Sequence, residues 1–176
     1  PLHGITQRGE CDCDDPNCAS PGKHPRTAHG LKDASGEELQ IRRWWRQWPT
    51  ANLGLPIQRW FVAVDIDGDD GYAALLAAGY PLPATAVSET GRGHHYVYRT
   101  SRIIAPKVGI LAHVDLRGPG SYIVAPPSLH VSGRRYRWAA PLSEAAQAPD
   151  WLERVPSAEM GEGQARQRFN PASVLA

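Results

Sequence analysis

The sequence predicts an α+β domain in which a mixed, largely antiparallel sheet is flanked by helices. Three observations favour this class. The second half of the chain is a series of short runs rich in β-forming residues, each bounded by glycine or proline. Two segments of the first half have helical spacing instead. The 16 prolines, 17 glycines and two phenylalanines indicate short elements joined by many ordered loops.

The first element is a cysteine- and histidine-rich segment, residues 11–29, which has almost no apolar pattern of its own. Its ligand types follow C-x-C-x4-C-x5-H, at Cys11, Cys13, Cys18 and His24. Three thiolates and one imidazole complete the tetrahedral shell of a structural Zn²⁺, whose binding would replace a missing hydrophobic core. His29 is the rival fourth ligand, and free, reduced cysteines in a loop are the alternative. Because three neighbouring cysteines cannot all pair with one another, a secreted disulfide scaffold is disfavoured.

A helix follows in "DASGEELQIRRWWRQWP", where Ser35 is the expected N-cap and Pro49 ends the helix. Its tryptophans, Trp44, Trp45 and Trp48, follow the helical period. We therefore expect them to pack against the domain rather than to stack on nucleic-acid bases. The segments "NLGLPI" and "WFVAVDID" predict two strands, and "DDGYAALLAAGY" predicts a helix that Gly79 closes.

Five further strands are predicted in "TAVSET", "HHYVYRT", "GILAHVDLRG", "SYIVAPPSLHV" and "RRYRWAA". A last short helix, "APDWLERV", is expected to pack Trp151 and Leu152 on the sheet. Residues 1–155 thus form one domain, and the polar residues 156–176 are interpreted as a tail or interdomain linker. The chain starts with Pro1 and is interpreted as a trimmed fragment. No apolar run approaches the roughly 20 residues of a membrane span and no signal peptide is apparent, so we expect a cytoplasmic protein without a membrane partner.

Two aspartates at the end of an apolar strand are the first candidate site. In "VAVDIDGDDG", Asp65 and Asp67 project to one face of the strand, whereas Val64 and Ile66 project to the other. Two like charges held this close repel each other unless a cation lies between them. The alternative is a strand end whose carboxylates cap the following helix.

A third carboxylate, Asp115, lies within the apolar run "LAHVDLRG", with Arg117 two residues later on the same face. A carboxylate inside such a run is costly unless it is paired or bound to a metal. Oxygen donors from neighbouring strands form the ligand set that Mg²⁺ or Mn²⁺ prefers. Two such ions can hold the attacking and leaving oxygens of a phosphoryl transfer.

The segment "TGRGHHYVYR" supplies the complementary cationic groups. Arg92 offers a fork for phosphate oxygens, and the flanking glycines allow close backbone approach. Alternation along the strand places His95 on one face and His94 on the other. A mere surface histidine pair is the alternative.

Taken together, these segments resemble the bifunctional DNA primase/polymerase (prim-pol) N-terminal domain of the archaeo-eukaryotic primase superfamily, found in plasmid, phage and bacterial replication proteins. The resemblance runs from "PLHGI" through "CASPGKHP", "RRWWRQWPTANLGLPI", "VAVDIDGDDGYAAL" and "TGRGHHYVYR" to "VDLRGPGSYIVAPPSLHVSGRRYRW" and "APDWL". It implies that residues 1–155 are a catalytic domain with the zinc-binding element embedded in it.

The resemblance also implies site residues. Asp65 and Asp67 match the paired acidic metal ligands of the first family motif, and Asp115 matches the acidic ligand of the third. His95 matches the histidine of the second motif, which contacts nucleotide phosphates, and Thr90 stands where many relatives have serine. Further nucleotide contacts are expected at Arg92, Arg117, Asn52, Lys23, Ser128 and His130. Apart from the resemblance, the basic run "SGRRYRW" makes Arg134, Arg135 and Arg137 candidates for template-backbone contacts, and a solvated strand edge is the alternative.

The function implied is DNA-templated synthesis or extension of primers from dNTPs or NTPs, with two Mg²⁺ or Mn²⁺ ions and one structural Zn²⁺. The implied partners are a DNA template, a primer and possible fusion to a helicase domain, in a bacterial, phage or plasmid replication context. The formal charge of +1 predicts no long-range steering toward nucleic acid, so contacts must come from local clusters. Two rivals are a non-catalytic, zinc-stabilised nucleic-acid-binding module and a metal-dependent replication-initiation nuclease.

Overall fold

The computed structural model describes residues 1–155, where the chain forms eight named strands and three α-helices. The strands are β1 (Leu53–Pro56), β2 (Phe61–Asp67), β3 (Ala86–Glu89), β4 (Gly93–Arg99), β5 (Lys107–Leu111), β6 (Val114–Arg117), β7 (Tyr122–Ala125) and β8 (Arg137–Ala140). The helices are α1 (Glu38–Gln47), α2 (Gly68–Ala77) and α3 (Asp150–Glu153). The predicted tail, residues 156–176, lies outside the described residues. Across residues 1–155, no helix has both the length and the apolar character needed to span a membrane.

The strands form two antiparallel sheets. The larger has the order β5-β6-β2-β4-β3-β8, and the smaller pairs β1 with β7. This arrangement confirms the predicted α+β class with few helices. A parallel pairing occurs only as an isolated bridge between Arg99 and Gln147 within the described part of the chain, so the expected mixed character of the sheet is slight.

Strand β2 lies at the centre of the large sheet, and its alternation gives the two faces different roles. Val62, Val64 and Ile66 are fully buried against the side that α2 and α3 cover. On the other face, the start of β2 packs against the small sheet, where Ala63 joins Ile123 in a second buried cluster. At the opposite end of β2, Asp65 is partly buried and Asp67 is exposed.

Two local predictions are wrong. The run "GILAHVDLRG" is not one strand but the hairpin β5–β6, which turns at Ala112 and at His113, whose φ is +59°. Neither turn residue is glycine or proline, so the composition of the run did not reveal the turn. Ser35 is not the cap of α1, because its hydroxyl accepts from the backbone N–H of Glu37 and the helix begins only at Glu38. The serine shapes the turn before the helix instead.

The short helix α3 is expected to contribute to stability far beyond its length. Leu152 is fully buried in the main core, as the sequence predicted, whereas Leu76 on α2 is 84% exposed. Leu152→Ala should lower the free energy of unfolding by about 2–5 kcal/mol because it leaves a cavity. Urea denaturation monitored by tryptophan fluorescence measures this. The control Leu76→Ala should change it by less than about 0.5 kcal/mol; equal effects of both variants would contradict the packing of α3.

Candidate active site and metal centre

Three predicted site residues lie in one row across the centre of the large sheet. The register places Asp65 directly opposite Asp115 on β6 and opposite His95 on β4. Side chains at paired positions of neighbouring strands project to the same face, about 5 Å apart. The structure therefore brings together residues that are 30 and 50 positions apart in the sequence.

Arg117 holds the two carboxylates of this row together. Its guanidinium donates to Asp65 Oδ2 at 3.0 and 3.2 Å, and to Asp115 Oδ2 at 2.8 Å. The other oxygen of Asp115 accepts from the backbone N–H of Gly109 at 2.7 Å. A single cation thus offsets the repulsion between two half-buried carboxylates, and it provides the pairing that the sequence argument required for Asp115.

Asp65 is ionised in this environment. Burial alone would raise the pKa of its carboxyl group, but the hydrogen bond and charge of His95, together with the charge of Arg117, hold the pKa below its usual value. His95 Nε2 lies 3.3 Å from Asp65 Oδ1. His95 itself is only 6% exposed, and its Nδ1 is buried without a hydrogen-bond partner among the described residues.

Asp67 lies at the open end of the same strand. Its side chain is 49% exposed and accepts from Arg92 at 3.2 Å. Although Asp67 is the N-cap residue of α2, its side chain makes no capping hydrogen bond, so helix capping does not explain this carboxylate. The oxygens of Asp65, Asp67 and Asp115 do not all lie within 4.8 Å of one another, and the only such groups among residues 1–155 are in the cysteine-rich segment. Three carboxylates are the ligands that a hard divalent cation prefers. In this structure they pair with Arg92 and Arg117 instead.

The turn between β3 and β4 places Arg92 beside this acidic end. Thr90 Oγ1 accepts from the backbone N–H groups of Arg92 and Gly93, at 3.2 and 2.9 Å. A Cβ at Gly93 would lie 1.8 Å from the Ile66 carbonyl oxygen, so only glycine fits there. A Cβ at Gly91 would likewise meet the imidazole of His130 at 2.0 Å. Thr90 therefore shapes the turn, and the glycines allow its close packing.

His130 joins this turn to the cysteine-rich segment. Burial, and then the positive charges of Lys23 and Arg92, lower the pKa of its imidazole. Its Nδ1 accepts from the backbone N–H of Ser132, which leaves Nε2 as the proton-bearing nitrogen of the neutral ring. Lys23, Arg92 and His130 thus form a group of hydrogen-bond donors, the candidate phosphate-binding group.

Two residues that were predicted to contact nucleotide, Asn52 and Ser128, use their side chains in hydrogen bonds within the fold. Asn52 is 3% exposed, its Nδ2 donates to the carbonyls of Gly22 and Leu129, and its Oδ1 accepts from the Leu129 N–H. Ser128 Oγ accepts from the Leu53 N–H at 2.8 Å. These side chains fix the segment that carries His130 against the cysteine-rich segment.

The three arginines predicted to bind the template follow this segment. All three, Arg134, Arg135 and Arg137, are exposed. One contact uses Arg135, which donates to the Pro127 carbonyl at 3.1 Å. The group therefore keeps positive charge at the surface.

The cysteine-rich segment forms a compact cluster of metal-ligand atoms. The sulfurs of Cys11, Cys13 and Cys18 and a nitrogen of His24 all lie within 4.8 Å of one another. His24 Nε2 is 3.3 Å from Cys11 Sγ and 3.5 Å from Cys18 Sγ. A tetrahedral Zn²⁺ with bonds of about 2.3 Å to sulfur and about 2.0 Å to nitrogen separates these atoms by about 3.5 Å. Burial, followed by the charge of His3, lowers the pKa of His24 and favours the neutral imidazole that metals bind.

His29, the rival ligand, is not part of this cluster. Its side chain is 74% exposed and pairs with Asp33 at 3.0 Å. The imidazole of His24 is instead stacked on His3, whose Nδ1 contacts Asp12. Asp12 also binds the Arg26 guanidinium. Sequence reasoning missed this supporting shell because these residues have no ligand spacing of their own.

Tyr136 is the site residue that sequence reasoning overlooked most clearly. It lies between two predicted template arginines, yet it is 3% exposed and its ring faces His95 and His130. Alternation along an extended chain places Tyr136 on one face and its neighbours Arg135 and Arg137 on the other. The sequence does not indicate which of these two faces lies toward the acidic row.

Comparison with protein families identifies the chain. Residues 9–151 match the model of the family described as bifunctional DNA primase/polymerase, N-terminal. The same comparisons found no curated protein and no solved structure that matches this chain. The matched range includes the acidic row, the group of Lys23, Arg92 and His130, and the Cys3His cluster. The chain therefore belongs to the bifunctional DNA primase/polymerase N-terminal family.

Proposed function

We propose that this domain catalyses DNA-templated nucleotidyl transfer, making or extending primers from dNTPs or NTPs. The observation that carries the proposal is the row of Asp115, Asp65 and His95 across three strands, open at the end where Asp67 lies. A polymerase must bring a cation-binding acidic group next to groups that bind phosphate. Here the acidic carboxylates meet the candidate phosphate-binding group at the end of β2, where Arg92 donates to Asp67.

Asp65, Asp67 and Asp115 are the proposed ligands of Mg²⁺ or Mn²⁺. When bound, such ions neutralise the triphosphate, lower the pKa of a primer 3′-hydroxyl and stabilise the leaving pyrophosphate. Arg117 pairs with both Asp65 and Asp115 and so keeps the two carboxylates aligned. The carboxylates are already paired with Arg92 and Arg117, so a bound metal ion would replace some of these guanidinium contacts.

The cationic groups bind the nucleotide and the template. His95, Arg92, Lys23 and His130 are proposed to contact the triphosphate, with Arg117 as a further contact. Thr90, Asn52 and Ser128 are assigned a positioning role, because their side chains bond to backbone groups. The exposed arginines are proposed to bind the template backbone through Arg134, Arg135 and Arg137.

The Cys3His cluster is proposed to hold one structural Zn²⁺. Four protein ligands leave no open position, so this ion would stabilise the fold and take no part in the reaction. Leu2 is the only described core residue of the first 30 positions, which leaves metal binding to order this part of the chain. The replication context and any attached helicase domain belong to the same proposal.

A primer-extension assay tests the proposal. The chain is incubated with dNTPs or NTPs and Mg²⁺ or Mn²⁺, first on a primed DNA template and then on an unprimed one. Extension on the primed template supports a polymerase, and new products on the unprimed template support a primase. Binding without extension in any metal would favour the non-catalytic module, and cleavage of the template would favour the nuclease.

One structural observation already argues against a nuclease of the histidine-pair type. Such an enzyme needs two histidines on the same face of a strand. His94 instead faces the opposite side of the sheet from His95, where its Nδ1 lies 2.7 Å from the Tyr72 hydroxyl. The two imidazoles therefore cannot share one metal ion.

A further inference from the structure

The region between the acidic row and the phosphate-binding group contains a side chain to which no role has been assigned. Tyr136 directly precedes β8 and is 3% exposed. Its ring centroid lies 6.2 Å from that of His95 and 6.1 Å from that of His130. The ring thus packs between the histidine of the acidic row and the histidine of the phosphate-binding group.

The backbone holds Tyr136 firmly in this position. Its N–H donates to the Ser128 carbonyl at 2.9 Å, and the N–H of His130 donates to the Arg134 carbonyl at 2.8 Å. Residues 128–136 therefore form a hairpin that folds the tyrosine over the site. Because the ring is fixed by packing and the hairpin by hydrogen bonds, the hydroxyl has a defined place.

The ring of Tyr136 is buried, whereas its hydroxyl is not one of the fully enclosed polar atoms without a partner in residues 1–155 and is not used by the fold. Burial, and then the charges of Asp65 and Asp67, raise the pKa of Tyr136 to about 12, while Arg92 acts in the opposite direction, and no hydrogen bond contributes. The phenol is therefore a neutral O–H donor near both carboxylates. Other buried tyrosines do have partners: Tyr98 donates to the Pro83 carbonyl at 2.8 Å.

A second polar atom nearby has no partner either. His95 Nδ1 is buried and makes no hydrogen bond within the described residues. Enclosed polar groups without partners are rare in proteins because each one costs free energy. His95 Nδ1 is such a group, and the Tyr136 ring packs beside it at a centroid distance of 6.2 Å, which indicates a place that a polar ligand reaches.

We propose that the Tyr136 hydroxyl donates a hydrogen bond to a phosphate oxygen of the bound nucleoside triphosphate, which makes Tyr136 a nucleotide-binding residue. This inference rests on the proposed function, because it assumes that a triphosphate occupies the acidic row. Phosphate is favoured over the base or the sugar because the His130 ring lies 6.1 Å from the Tyr136 ring and the charge of Arg92 acts on the Tyr136 hydroxyl, and both side chains can donate to phosphate. A phenol adds a donor there without adding charge.

The test uses the 176-residue chain and the variant Tyr136→Phe, which keeps the ring and removes only the hydroxyl. KM and kcat for dNTP are measured in primer extension, and Ki is measured for inorganic tripolyphosphate as a competitor. Loss of a hydrogen bond to a charged group should raise KM and Ki together by about 10- to 100-fold, with kcat changed by less than about threefold. The melting temperature should not change, because the hydroxyl has no partner in the fold.

The control is Tyr98→Phe, which removes a hydroxyl that the fold does use, on the opposite face of the sheet. It should lower the melting temperature and leave KM unchanged. Unchanged KM and Ki in Tyr136→Phe would overturn the inference, as would a raised KM with an unchanged tripolyphosphate Ki, because the contact would then not be to phosphate. If the wild-type chain neither extends primers nor binds tripolyphosphate, the proposed function itself fails.

Discussion

Asp65→Asn should reduce nucleotide incorporation by about 10³-fold or more, because an active-site metal contributes several kcal/mol of transition-state stabilisation. Asp65 is the central member of the acidic row and contacts both His95 and Arg117. Asparagine has nearly the same shape but carries no negative charge. Single-turnover extension of a labelled primer measures the loss, with Mg²⁺ and Mn²⁺ tested separately.

The matched control is Asp70→Asn, which removes an exposed carboxylate from the first turn of α2. Its activity should stay within about twofold of wild type, since surface substitutions away from a site have small effects. Circular dichroism should show both variants folded. Wild-type incorporation by Asp65→Asn would remove the acidic row from catalysis, and equal losses in both variants would show that net charge, not ligation, is responsible.

His24→Ala should abolish zinc binding and destabilise the domain. The wild-type chain is expected to contain about one zinc, measured by elemental analysis of the purified protein. The variant should contain almost no zinc. Its free energy of unfolding should fall by at least about 3 kcal/mol, which is a fraction of the roughly 10 kcal/mol or more by which zinc stabilises small folds. The reason is that the segment around the cluster has few apolar contacts of its own.

His29→Ala provides the matched control, because His29 was the rival ligand in the sequence and the structure places it in an exposed pair with Asp33. This variant should keep its zinc and its stability. Zinc retained in His24→Ala but lost from His29→Ala would reverse the assignment. A zinc-free wild-type chain would leave the cysteines as free thiols.

The two metal-related regions are joined through Asn52. Its amide links the Gly22 carbonyl, next to Lys23 and His24, to Leu129, next to His130. The cysteine-rich segment and the segment that carries His130 are therefore held together by one buried amide.

Much of the site could be predicted from the sequence because the side chains of a strand alternate with period two. That rule placed Asp65 and Asp67 on one face of their strand, and likewise Asp115 and Arg117. It placed His94 and His95 on different faces, and the register confirms each placement. The same local rule failed for the run around His113, because a turn formed by Ala112 and His113, without glycine or proline, has no distinct composition. It also failed for Ser35, where the helix starts later than the nearest capping residue.

By itself the sequence determined the ligand chemistry, the α+β class and the family, since these follow from residue types, spacing and motif order. Only the tertiary structure decided which strands are neighbours, and so which acids share Arg117, which histidine completes the cysteine cluster, and that Tyr136 faces His95. These are contacts between residues far apart in the chain. They depend on strand order and packing, which short-range patterns do not encode.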